Sequence, residues 1–254
     1  MKFIFDIDGT VCFDGRTIDE SICRAFDEIT SANHEIIFAS ARPIRDLIPV
    51  LPEPFRNGSM VGGNGTFVFD QGKIKVEFLQ GDVLKQLLDC IETNQLTYLA
   101  DSEWDYAYTG DTDHPIYRNI DKTSAKNREI NDLQTICKLV LFNPTEQVLQ
   151  ELSQLPVSIV HYKNENAIDI SPLGVNKVSG LRKLNIDQFI AFGNDSNDQC
   201  LFEHALHSVC IGNNDVKRYA TETINRENIP DTIRRILERL EEQKYEKPDK
   251  VKTW

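Results

Sequence analysis

The sequence predicts an α/β protein: a parallel-sheet core interrupted by a second, α+β unit. Three observations carry this. Residues 3–51 run strand, helix, strand, helix, the alternation of a parallel sheet. From about 79 to 165 the pattern changes to one amphipathic helix followed by several short strand-like runs. Beyond that stretch, helix and strand alternate again. The expected organisation is therefore 1–78 and 166–254 as one core, with 79–165 inserted into it as a cap.

The elements follow in order. Phe3-Ile4-Phe5 is a short buried strand that runs into Asp6-Ile7-Asp8, and Gly9 and Thr10 turn the chain. Thr17-Ile-Asp-Glu20 has the form of a capping box, and Ile22, Ala25, Phe26 and Ile29 form the apolar stripe of a helix over 17–33. Residues 35–39 are a second strand, ending at Ser40-Ala41-Arg42-Pro43, after which Ile44, Leu47, Ile48 and Leu51 mark a short helix. Gly62-Gly63-Asn64-Gly65 reads as turn chemistry, and the alternating runs 66–69 and 74–78 form a hairpin. Val83, Leu84, Leu87, Leu88 and Ile91 lie on one helix face. Strand-like runs follow at 96–100, 104–108 and 136–142, separated by a polar loop, 109–133, with room for one short helix. Asn143, Pro144 and Glu146 fit N-cap, N1 and N3 of the next helix. Strands are expected at 157–161, 167–170, 187–192 and 207–211, with helices starting at Lys177 and after Asp198 and a last one over 230–243. The tail after it reads as frayed.

Composition narrows the function. The chain has 254 residues, 40% of them hydrophobic, enough for a sizeable core, and a formal net charge of −12. That charge argues against nucleic acid or an anionic membrane as partner. Six cysteines lie at 12, 23, 90, 137, 200 and 210 with no Cys-x-x-Cys spacing, so reduced buried thiols are expected, not disulfides or zinc. No signal peptide precedes the first strand, and no apolar run approaches the ~20 residues of a membrane span. The expectation is a soluble, cytoplasmic protein.

Side chains alternate along an extended segment, so Asp6 and Asp8 point to one side at the end of a buried strand. Two carboxylates so placed repel and are desolvated, and a cation or shared proton must offset this. Oxygen ligands of this kind suit Mg²⁺. The pattern Asp-x-Asp-Gly-Thr occurs by chance on the order of 10⁻³ times per chain of this length. Further strand-end and helix-start groups follow in order: Ser40, Lys177, and Gly193-Asn194-Asp195-Ser196-Asn197-Asp198. A lysine at a helix start opposes the helix dipole, which leaves little structural reason for Lys177.

These four segments, in this order, resemble the motifs of the haloacid dehalogenase superfamily, and the Asn-Gly segment before the insertion resembles its Cof-like phosphatases. The resemblance implies a Rossmann-like core sheet, an inserted α+β cap, and a Mg²⁺-dependent phosphatase acting on a small phosphorylated metabolite. Carried over, Asp6 is the nucleophile, Asp8 the general acid and base, and Ser40 and Lys177 hold the phosphoryl group. Gly9, Thr10, Ala41, Arg42 and Asn197 fall in the phosphate-binding segments, with Arg42 divided between a phosphate and a surface ion pair. Asp6, the Asp8 carbonyl and the residue at 194 hold the metal. The family has Asp at that last position and this chain has Asn194, so Asp195 or Asp198 is a candidate to compensate. A phosphomutase of the same superfamily, or a non-catalytic phospho-ligand binder, are the alternative readings. In the cap, Trp104, Tyr106, Tyr108, Arg128, His161 and Lys163 are candidates to meet the leaving group; the aromatic three also fit the buried face of a strand.

Overall fold

The computed structural model describes residues 1–162 and 165–245. The chain opens with β1 (Lys2–Phe5), α1 (Glu20–Ser31), β2 (Glu35–Ala39), α2 (Ile44–Leu47), β3 (Met60–Gly62), β4 (Phe67–Asp70) and β5 (Lys73–Val76). It continues through α3 (Gly81–Asn94), β6 (Thr97–Asp101), β7 (Tyr106–Tyr108), α4 (Pro115–Arg118), β8 (Lys138–Phe142), α5 (Glu146–Leu152), β9 (Val157–Tyr162) and β10 (Ala167–Pro172). It closes with α6 (Lys177–Lys183), β11 (Phe189–Gly193), α7 (Gln199–His204), β12 (His207–Ile211), β13 (Glu222–Ile224) and α8 (Ile229–Tyr245).

Two sheets result. The larger has the order β13-β12-β11-β1-β2-β3-β4-β5. It is parallel from β13 to β3, and β4 and β5 add an antiparallel edge. The strands at its centre are apolar on both faces because helices cover both. Phe3, Phe5 and Phe38 pack with Phe26 of α1 and Ile233 of α8 on one side. Ile4, Ile37 and Ala191 pack with Val178 and Leu181 of α6 and Leu201 of α7 on the other. β1 thus lies in the middle, flanked by β2 and β11, and its carboxyl end opens where the connections diverge to either side. Crevices at such ends are where open α/β sheets bind ligands.

The smaller sheet, β7-β6-β8-β10-β9, is antiparallel throughout. α3 and α5 cover one face through Leu87, Ile91, Val148 and Leu152. β10 belongs to this sheet, although the core was expected to resume at 166. Its Ile168 and Ile170 complete the apolar layer under α3 and α5, a long-range pairing that local patterning does not report.

Two local expectations fail. The Thr17–Glu20 box does not form: Asp14 accepts from the Thr17 backbone N–H and hydroxyl, and α1 starts at Glu20 with Asp19 at the N-cap. Asn143 does not cap α5. It takes φ 51° and pairs with Asn166, while Thr145 accepts from Val148 N. In the loop after β11, Asp195 is the N-cap of the turn that follows. β13, short and only partly buried, carries no strand pattern. The expected frayed tail beyond 245 and the cap candidate Lys163 lie outside the described residues. Among the described residues no helix is long and apolar enough to cross a membrane.

Candidate active site

Asp6 follows β1 directly. Its backbone N–H still donates to Phe192 O of β11, which fixes the residue at the sheet end. The side chain is buried at 4% exposure, and its two oxygens have different partners. Oδ1 accepts from Lys177 Nζ at 2.6 Å, and Oδ2 from the Thr10 hydroxyl at 3.0 Å. Lys177 is fully buried at the start of α6, behind an N-cap made by Asn176. Its ammonium also donates to Asp198 Oδ1 at 2.6 Å. Burial pushes that ammonium down, but Asp198 and Asp6 outweigh burial and hold it above its ordinary range. For Asp6 the balance runs the other way: burial and the charge of Asp198 push its carboxyl up to about 7, against the pull of Lys177.

Asp8 differs from Asp6 in every respect. Its carboxylate is half exposed and gripped by Arg42, with Nε to Oδ2 at 2.8 Å and NH2 to Oδ1 at 2.5 Å. Arg42 also donates to Gly15 O at 2.9 Å. The ion pair foreseen for Arg42 is thus nearly buried on the arginine side, and its partner is the second aspartate of the Asp-x-Asp pair. Ser40 is buried at the end of β2, and its hydroxyl accepts from Arg42 N at 3.1 Å. That bond fixes the turn from which Arg42 reaches Asp8.

Asn194 closes the site from the end of β11. Gly9 permits this, because a Cβ there would meet Asn194 Nδ2 at 2.3 Å and its φ is +76°. The amide atom facing the corner lies 3.0 Å from Thr10 Oγ1, 3.2 Å from Asp6 Oδ2 and 2.9 Å from Asp8 O. With the NH2 turned inward, its two hydrogens are shared among these three acceptors. With the oxygen turned inward, it stands about one octahedral edge from Asp6 Oδ2 and from Asp8 O, ~2.9 Å for ligands at 2.0–2.1 Å. The donor set of carboxylate, backbone carbonyl and amide oxygen therefore fits Mg²⁺, with one negative charge fewer than a second carboxylate would give.

The two acids proposed to compensate are engaged elsewhere. Asp198 is fully buried, its Oδ1 on Lys177 and its Oδ2 accepting from the backbone N–H of Asn194 and Asp195. Its role is to anchor the loop and the lysine. Asp195 accepts from Ser196 N at 2.6 Å as the N-cap of the short turn that follows. Asn197 donates to Asn64 Oδ1 at 3.0 Å.

Asp6, Asp8, Gly9, Ala41, Arg42, Asn194, Asp195 and Asn197 line one cavity of about 710 Å³ between the two sheets, while Thr10, Ser40, Lys177 and Asp198 stand behind its wall. The smaller sheet supplies the opposite wall with Leu99, Asp101, Lys138, Val140 and Tyr162. The described cap residues singled out from sequence do not line this cavity. Tyr106 and Tyr108 pack with Leu99, Val140 and Phe142, and Trp104 packs against that cluster. Arg128 pairs with Asp105, and His161 is exposed. Of the residues missed, Asp101, Lys138, Arg45 and Asp46, Lys138 did leave a signal: it is a charge inside an otherwise apolar strand run. Asn64 was read as a turn. It is a turn, at φ 55°, but its amide also donates to Tyr162 OH and Asp169 Oδ2 across the gap between the sheets, both at 2.8 Å.

Residues 3–237 match the family model of the haloacid dehalogenase-like hydrolases. The 5-amino-6-(5-phospho-D-ribitylamino)uracil phosphatase of Bacillus subtilis is 26% identical over 242 residues, covering 86% of this chain and 89% of its own. The HMP-PP phosphatase of Yersinia enterocolitica is 23% identical over 234 residues, 82% of each chain. Among solved structures, a sugar phosphatase of haloacid dehalogenase subclass IIB superposes with TM-score 0.78 at 17% identity, over 92% of this chain and 98% of its own. A haloacid dehalogenase-like hydrolase from Bacteroides thetaiotaomicron gives TM-score 0.74 at 20% identity, over 92% and 98%.

Proposed function

The chain belongs to the haloacid dehalogenase-like hydrolases, and we propose that it is a Mg²⁺-dependent phosphatase that hydrolyses small phosphomonoesters through an aspartyl phosphate on Asp6. The observation that carries this reading is the division of labour at Asp6: one oxygen on Lys177, the other on the corner formed by Thr10, Asn194 and the Asp8 carbonyl. Relatives named as phosphatases of small phosphorylated compounds support it.

Asp6 Oδ2, Asp8 O and Asn194 Oδ1 would hold the metal, which when bound shields the incoming phosphate from the carboxylates. Asp6 Oδ1, held in place by Lys177, attacks phosphorus as the bond to the leaving oxygen breaks. Asp8, at the cavity wall and aimed by Arg42, gives that oxygen a proton. It then takes a proton from a water molecule, which attacks phosphorus, breaks the bond to Asp6 and releases phosphate. Lys177 supplies fixed positive charge in a buried place, where it acts more strongly than in water. Ser40 sets the turn that carries Arg42, and its hydroxyl lies behind the wall. Residues 79–165, together with β10, act as a cap that closes over the cavity, excludes water and reads the leaving group. The free state of all six cysteines fits a reduced compartment, and we place the protein in the cytoplasm.

The test is phosphate release from p-nitrophenyl phosphate and a panel of sugar phosphates and nucleotides. Turnover should need Mg²⁺ and be inhibited by Ca²⁺, whose looser coordination can take both oxygens of Asp6. Full activity in EDTA would refute the metal-dependent reading.

A further inference from the structure

The peptide group that joins Ala41 to Arg42 is held at both ends, once by the core and once by the cap. Its N–H donates to Ser40 Oγ at 3.1 Å. Its carbonyl, Ala41 O, accepts from Lys138 Nζ at 2.8 Å, and Lys138 opens β8 of the smaller sheet. The next peptide group is fixed as well, because Gly63 N donates to Arg42 O at 2.7 Å. Both peptide planes that flank Arg42 are thus set, and with them the direction in which its side chain leaves the turn. That side chain ends in the two hydrogen bonds to Asp8.

Lys138 is buried, and a buried ammonium persists only if paired and hydrogen-bonded. Asp169 of β10, in the same sheet, supplies the opposite charge with Oδ2 at 2.9 Å. Asn64 and Tyr162 donate to that oxygen too, so the carboxylate is held from three sides. The ion pair needs nothing from β2. The bond to Ala41 O crosses to the larger sheet nonetheless, and among the described residues it is the cap's only hydrogen bond to the backbone of 40–42. Beyond that turn, α2 is tied to the cap as well: Arg45 donates to Trp104 O at 2.7 Å, and Asp46 Oδ1 accepts from Asp121 N at 2.8 Å. Cap and core are therefore joined on both sides of Arg42.

We propose that Lys138 is a positioning residue: through the Ala41–Arg42 peptide it sets Arg42, and through Arg42 it aims the carboxyl of Asp8 at the leaving oxygen. The inference rests on the phosphatase reading above. It needs no contact between Lys138 and the substrate. A general acid works only within hydrogen-bond reach of the atom it protonates, and a displacement of ~1 Å can cost on the order of 10²-fold in rate.

The experiment compares phenyl phosphate with p-nitrophenyl phosphate, two esters of similar shape whose leaving groups differ in their need for a proton, phenolate needing it more. In Lys138→Met, kcat on phenyl phosphate should fall ~10-fold or more and kcat on p-nitrophenyl phosphate by less than about threefold, with KM for both within about twofold. Combined with Arg42→Lys, the substitution should lower kcat little further than the larger single loss, because both act through one contact. Equal losses on the two esters assign Lys138 a structural role, a loss carried by KM places it in substrate binding, and losses that multiply in the combined variant give it a route that bypasses Arg42; each overturns the proposal. Should Lys138→Met not fold, Lys138→Met/Asp169→Asn replaces the buried ion pair by neutral groups of similar size and leaves an amide oxygen for Asn64 and Tyr162. The same comparison is then read from that variant, and failure of both to fold assigns the lysine to stability and overturns the proposal. A wild type that hydrolyses only p-nitrophenyl phosphate has no working acid to place, which refutes this inference and leaves the phosphatase reading standing. Hydrolysis of neither ester refutes the phosphatase reading and this inference with it.

Discussion

The side-chain amide of Asn194 reaches to 2.9 Å from the backbone carbonyl oxygen of Asp8, with Asp6 Oδ2 3.2 Å away on the same side. An amide can meet these oxygens in two ways: its NH2 donates to them directly, or its oxygen joins them around a cation. A carboxylate has only the second choice. Asn194→Asp should therefore destabilise the metal-free protein, since the hydrogen bonds of the NH2 are replaced by oxygen–oxygen repulsion. It should also tighten Mg²⁺, on the order of tenfold as ligand charge rises, and raise KM for the phosphomonoester dianion. Thermal unfolding in EDTA and calorimetric Mg²⁺ titration without substrate test both signs. Equal or weaker Mg²⁺ binding by the variant means that Asn194 does not stand in for a carboxylate ligand.

Asp6→Asn should abolish turnover with the fold retained, because an amide does not attack phosphorus. Asp8→Asn should slow the reaction by ~10²–10⁴-fold, the usual cost of losing general acid–base help. Steady-state rates, with circular dichroism to confirm folding, check the pair. Near-native rates in Asp6→Asn would remove it as the nucleophile.

Arg42 touches Asp8 through two parallel hydrogen bonds. Lysine keeps the charge and loses that fork. Arg42→Lys should cost roughly 10-fold or more in kcat on an alkyl phosphate, whose leaving oxygen needs a proton, and much less on p-nitrophenyl phosphate, whose leaving group departs without one. A uniform loss across leaving groups would show that Arg42 contributes to binding and not to the placement of Asp8.

Lys177 is fully buried between Asp6 and Asp198. Lys177→Met leaves two carboxylates facing each other without their cation. Breaking a buried ion pair in this way typically costs about 3–5 kcal/mol. Urea unfolding should show the loss through a lower midpoint at unchanged slope. A change below ~1 kcal/mol would mean that the two acids share a proton once the lysine is gone.

Much of this protein was legible without coordinates. Hydrophobic periodicity set β1, β2 and β12 at or near their observed limits, because apolar faces repeat with the period of the element that buries them. The Asp6–Thr10 stretch and the groups at Ser40, Lys177 and 193–198 pointed to the candidate site, since each combines a strand end or helix start with chemistry that a plain turn does not need. What the sequence left open were relations between distant segments. Whether Arg42 would meet a phosphate or a carboxylate depended on where Asp8 came to lie. Whether Asp198 would compensate for Asn194 was decided by Lys177, which claims its Oδ1 from α6. The cap wall was misplaced for the same reason: Tyr106 and Tyr108 pack inside the smaller sheet's apolar cluster, while Asp101 and Lys138 lie along the cavity wall. Local pattern reports how much of each segment is buried. Which partner a buried charge finds is fixed only when the sheets come together, because the Coulomb and hydrogen-bond terms that decide it act over a few ångströms of space and not along the chain.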